Sequence, residues 1–180
     1  MHAVGRWPST DMASTTSPDH APAPVRADSR FMRQRLSRWI AFGFGSGLSP
    51  WAPGTVGTLW AWLAFIVLDR WFGPGAWAVL IAAGVLVGVW ACGRTARDLG
   101  VADHGSIVWD EIVAFWLILL FVPASLAAQF AAFVVFRFFD IVKPPPIRHF
   151  DARLKSGFGV MFDDLLAAFY TLLLMALWQR

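Results

Sequence analysis

Apolar residues gather in five stretches of the chain, 56–68, 76–92, 112–122, 124–136 (with Ser125 and Gln129) and 165–178 (with Thr171). Each is shorter than the run of about 18 uncharged residues that marks a membrane-spanning helix by itself. Five of them in succession, ringed by Trp and Phe, make a joint case that no single one makes. The pattern predicts an all-α, polytopic membrane bundle of four or five apolar helices. Gly73-Pro74-Gly75 and Pro123 fall between stretches and predict turns. The third and fourth stretches leave a re-entrant hairpin open as an alternative to two crossings. Ahead of them, residues 1–30 are rich in Ala, Pro, Ser and Thr and show no hydrophobic period. Such a segment buries too little apolar surface to offset its ordering entropy, so it reads as a disordered basic tail before a membrane-embedded domain over 31–180.

Composition agrees. Of 180 residues, 57% are hydrophobic and 15% charged, where a water-soluble domain carries about 25% charge. Cys92 stands alone, which excludes a disulfide framework and a zinc site built on paired thiolates. The net charge of +3 resides in residues 1–38, and the remaining charges balance. No aromatic-basic interleaving accompanies the tail, so nucleic acid is not the expected partner. No apolar core follows it closely enough for a secretory signal. A solvated segment beside an anionic membrane face is the simpler reading.

The other charges fall mainly into two clusters, 94–111 and 137–164. If the tail is cytoplasmic and the chain crosses at each stretch, both clusters and the loop 43–53 lie inside. Every Lys and Arg then sits on that side except Arg70 and Arg180, which can snorkel from outer helix ends. This satisfies the positive-inside rule and puts all polar segments on one face.

Four of those segments carry candidate chemistry. Residues 43–55 (GFGSGLSPWAPGT) form a Gly- and Pro-rich loop ahead of an apolar helix, with Thr55 as N-cap candidate. Convergent backbone N–H groups at a helix start suit an anion, although a tight interfacial turn would use the same residues. Asp110 and Glu111 open the third stretch, where acids also favour the helix dipole. Arg137 and Asp140 are three apart and share a helix face, and Lys143 and Arg148 flank a run of three prolines. Asp163 and Asp164 follow a Gly-containing loop at the fifth stretch. His104 and His149 lack a nucleophile elbow and read as polar surface residues. The acids supply an oxygen-only ligand set suited to Mg²⁺ or Mn²⁺, the cations a counter-charge for phosphate. A small transporter or channel subunit is the rival reading, but its charges would line the apolar stretches rather than cluster at one face.

At these residues the chain resembles phosphatidylglycerophosphatase A. The resemblance is carried by GSGLSP (45–50) with APGT (52–55), DHGSIVWDE (103–111), FRFFDIVKP (136–144) with PIR (146–148), and GFGVMFDD (157–164). It covers about residues 40–175. Val142, Ser156 and Val160 depart from the usual Trp, Gly and Ile, and none of these removes a charge. The resemblance implies a Mg²⁺-dependent helical enzyme of the bacterial inner membrane, its active site cytoplasmic. It would hydrolyse the terminal phosphomonoester of phosphatidylglycerophosphate, leaving phosphatidylglycerol and phosphate. On that reading 31–180 is the catalytic domain, and Asp110, Glu111, Asp163 and Asp164 hold Mg²⁺ with Asp140 supporting. Ser46, Gly47, Ser49, Gly54, Thr55, Arg137, Lys143 and Arg148 bind the phosphate. Direct water attack and a phospho-enzyme both stay open, and the partners expected are the phospholipid substrate and the bilayer.

Overall fold

The computed structural model describes residues 26–101, 104–145, 147 and 156–178. Among them all regular structure is helical. Two short helices come first, α1 (Ser29–Arg33) and α2 (Leu36–Ala41), followed by a 3₁₀ turn over Gly43–Leu48. Five longer helices follow: α3 (Pro53–Leu68), α4 (Pro74–Leu99), α5 (Trp109–Phe121), α6 (Leu126–Val142) and α7 (Gly157–Trp178).

Local chemistry sets the ends. Asp28 accepts a hydrogen bond from Phe31 N at 2.8 Å and caps α1, so the tail boundary expected after residue 30 falls inside a helix. Proline opens both α3 and α4, where its missing N–H costs nothing. Gly100 ends α4 with φ of 74°, a left-handed stop that glycine adopts freely. Ser125 caps α6 through Ala128 N, and Lys143 ends it with φ of 43° just before Pro144.

The five long helices run up and down, and α5 is the axis. It packs against α3, α4, α6 and α7, and from Ile112 to Phe115 every side chain is buried. Glycines let the helices approach. Trp109 Nε1 donates to Gly84 O at 2.9 Å, and a Cβ on Gly157 would strike Val89 O and Gly93 on α4. Small residues at such crossings replace the hydrophobic drive that lipid cannot supply between helices.

The expectation of four or five spanning helices holds only in part. Among the described residues two helices, α4 and α7, are long and apolar enough to cross a membrane, and α3 is a shorter apolar helix. At 13 residues, α5 rises about 20 Å, well short of a hydrocarbon core of about 30 Å. Its flanks explain the shortfall: Asp110 and Glu111 already occupy its first turn and Val122 leaves the helix before Pro123. The outer surface is strongly apolar, with Leu63, Val79, Leu86, Phe130 and Leu177 all exposed. Exposed Trp residues occur toward both ends, Trp39 and Trp51 at one and Trp71 and Trp178 at the other, the arrangement of interfacial aromatic belts.

Candidate active site

Antiparallel packing brings the start of α3, the start of α5, the end of α6 and the second turn of α7 to one end of the bundle. They enclose a cavity of about 400 Å³. Asp110, Glu111, Asp140, Asp163 and Asp164 line it together with Arg137 and Lys143. Five carboxylates against two cations leave the cavity strongly negative among the described residues.

The charges are organised. Arg137 Nη1 lies 2.9 Å from Glu111 Oε1 and 2.6 Å from Asp140 Oδ2, bridging α5 to its own helix. The same nitrogen is 3.4 Å from Thr58 Oγ1 on α3, and that hydroxyl donates to Gly54 O at 2.9 Å. Lys143 Nζ meets Asp163 Oδ2 at 3.2 Å. Glu111, Asp140 and Asp164 each offer an oxygen within 4.8 Å of the others, an arrangement able to hold a metal ion. Asp140, given only a supporting part by the sequence, thus belongs to the trio, while Asp163 faces Lys143.

A divalent cation fits this donor set. Asp164 is 3% exposed and its Oδ2 has no hydrogen-bond partner among the described residues, a cost that a cation would offset. All the donors are hard oxygens. Capping does not account for the α7 acids. The helix starts at Gly157, so Asp163 and Asp164 lie well past the first turn, and both are buried. Asp110 and Glu111 do occupy the first turn of α5, but the cap residue is Val108 and makes no side-chain cap bond.

The glycine loop divides. Gly54 and Thr55 line the cavity in the first turn of α3, where backbone N–H groups have no intrahelical acceptor. Thr55 is not the N-cap: that position is Ala52, at φ 42°. A Cβ on Gly54 would collide with the Glu111 carboxylate, so glycine here lets α3 approach the acids. Ser46, Gly47 and Ser49 do not line the cavity. Ser46 Oγ donates to Gly43 O and Ser49 Oγ to Trp51 O, while Gly47 packs on Ser106 O, so this part shapes the loop. His104, expected as a polar surface residue, is half-buried, and its Nδ1 accepts from Ser106 N at 3.1 Å. Arg148 and His149 lie outside the described residues. Sequence reasoning missed Thr58. A hydroxyl within the apolar stretch 56–68 was the available signal, and the structure buries it fully.

Comparison with known proteins bears on what this cavity belongs to. The family model for phosphatidylglycerophosphatase A matches residues 39–179. The chain belongs to that family. Within it, phosphatidylglycerophosphatase A of Haemophilus influenzae is 47% identical over 138 residues, covering 76% of this chain and 84% of the relative. Phosphatidylglycerophosphatase A of Escherichia coli is 43% identical over 142 residues, covering 78% and 82%. No solved structure matches the chain significantly. The family match spans every element around the cavity, from the glycine loop through α7.

Proposed function

We propose that the chain is a phosphatidylglycerophosphatase, hydrolysing the terminal phosphomonoester of phosphatidylglycerophosphate to phosphatidylglycerol and phosphate. Family membership gives the substrate class, and the acidic trio with the buried, unpartnered Asp164 oxygen is the observation that carries the chemistry. Glu111, Asp140 and Asp164 would hold a divalent cation, with Asp110 and Asp163 completing the acidic lining. Mg²⁺ suits the all-oxygen set best. Bound there, it would supply polarisation of the phosphate oxygens and a lowered pKa for an attacking water.

The chain's own groups supply the rest. The Gly54 and Thr55 N–H groups face phosphate oxygens from the start of α3, with the helix dipole behind them. Lys143, held by Asp163, adds positive charge beside the phosphoryl oxygens as the lipid alcohol departs. Arg137 keeps Glu111 and Asp140 at a fixed separation, so their geometry does not collapse between turnovers. In this reading the active end faces the cytoplasm of a bacterium, across the inner membrane from Gly73–Gly75. The clustering of charge at one end favours this over a transport pathway. The test is phosphate release from phosphatidylglycerophosphate in mixed micelles by the purified protein, in EDTA and then in Mg²⁺. Release confined to the Mg²⁺ arm is expected; no release with any divalent cation would reject the proposal.

A further inference from the structure

The substrate of the proposed reaction is a lipid, so its headgroup must reach the cavity while its acyl chains stay in an apolar medium. Most junctions around the cavity are closed. α3 packs on α5, α5 on α7 and α7 on α6. The last of these is also tied by Phe139 against Tyr170, at 5.7 Å between ring centroids. Among the described residues, α3 and α6 are both seated on α5 but pack only sparsely on each other. They leave a seam.

The seam is continuous with the cavity. Thr55 on α3 and Ile141 on α6 both line the cavity wall. From Thr55 the positions Leu59, Trp62 and Ile66 follow at helical spacing on one face of α3. From Ile141 the positions Phe138, Val134 and Phe130 do the same on α6. Leu59, Val134 and Phe130 are exposed, so both stripes are apolar and open to the outside. Side chains bridge the floor at two levels. Arg137 reaches Thr58 near the cavity, and further down Trp62 Nε1 donates to Gln129 Oε1 at 2.7 Å. Trp62 stacks on Phe133 at 6.0 Å, and Phe115 of α5 lies behind both rings.

We infer that the seam between α3 and α6 is the lateral entry for the substrate and seats one of its acyl chains while the headgroup occupies the cavity. The inference rests on the lipid phosphatase reading. Lipid tails are as apolar as leucine, so a chain gains little affinity by leaving bulk lipid for the seam. Its effect is positional: the seam aims the phosphomonoester at the acidic trio.

Leu59→Trp and Val134→Trp narrow the seam without touching the cavity, and Leu86→Trp adds the same bulk on exposed α4. Rates are compared for long-chain phosphatidylglycerophosphate and its dihexanoyl form, whose chains end before the lower seam. The seam variants should lower kcat/KM for the long-chain lipid about tenfold and leave the dihexanoyl rate near that of the parent, with Leu86→Trp neutral on both. Parent-like rates on both substrates, or equal losses on both, would overturn the inference. A parent protein inactive on both would overturn the phosphatase reading and the seam with it. Independent of any variant's folding, a lipid bearing a diazirine partway along its acyl chain should label the parent at α3 and α6 around Leu59, Trp62 and Val134. Labelling spread evenly onto α4 around Leu86 would equally reject the seam.

Discussion

Asp164→Asn separates a metal site from a structural acid cluster because the two readings predict opposite signs. The side chain is 3% exposed and lies within 4.8 Å of oxygens from Glu111 and Asp140. Two carboxylates at that separation repel by roughly 3 kcal/mol in an effective dielectric of about 20. Asparagine keeps the shape and removes one charge from an overfull set. In EDTA the variant should therefore unfold at the same temperature as the parent or higher. With Mg²⁺ the order reverses. A cation at a hundred times its Kd stabilises a folded protein by about 2.7 kcal/mol, and the parent should gain a thermal shift of that order. The variant should gain little. Loss of a ligand that positions several kcal/mol of transition-state stabilisation should cut turnover by about a thousandfold. The assay is thermal unfolding in detergent across a Mg²⁺ titration, beside phosphate release at each point. An Asp164→Asn protein that shows the parent's Mg²⁺ shift and near-parent turnover would refute the carboxylate site. A loss of stability in EDTA would instead mark the acid as a structural element.

Gly54→Ala should raise local helix propensity by up to about 1 kcal/mol yet push the Glu111 carboxylate aside, so turnover should fall about a hundredfold while far-UV circular dichroism is unchanged. Lys143→Gln should lower turnover by about a hundredfold or more but move the Mg²⁺ titration midpoint far less than Asp164→Asn does. Removing residues 1–25 preserves the Asp28 cap and should leave Mg²⁺-dependent turnover within about twofold of the full chain. For orientation, a cysteine at Gly75 should react with an impermeant thiol reagent from the periplasmic side and one at Ser156 should not. The native Cys92, being fully buried, gives no background.

The residue types of the site were legible because membrane context makes charge scarce. With 15% charged residues overall, acids at Asp110, Glu111, Asp140, Asp163 and Asp164 stand out, and the resemblance attached a chemistry to them. The all-helical class was legible for the same reason, since apolar stretches of this length and spacing have few other ways to satisfy their backbone. Their number as spans was not. Whether a stretch crosses depends on the helix length that folding delivers, and α5 spends its residues as a buried axis instead. Nor does spacing along the chain reveal which acids converge. Asp140 joins Glu111 and Asp164 because α6 runs antiparallel to α5 and α7 and Arg137 draws two of the three carboxylates together. The division of the glycine loop, with Gly54 and Thr55 in the cavity and Ser46 and Ser49 turned to their own backbone, is likewise a tertiary decision. It follows from α3 beginning at Pro53 and lying against Glu111. Composition determined that acids and cations would face one another at one end of a helical bundle. The crossing of α3, α5, α6 and α7 decided which oxygens share a point, because ligand distances are set by helix packing and not by separation in sequence.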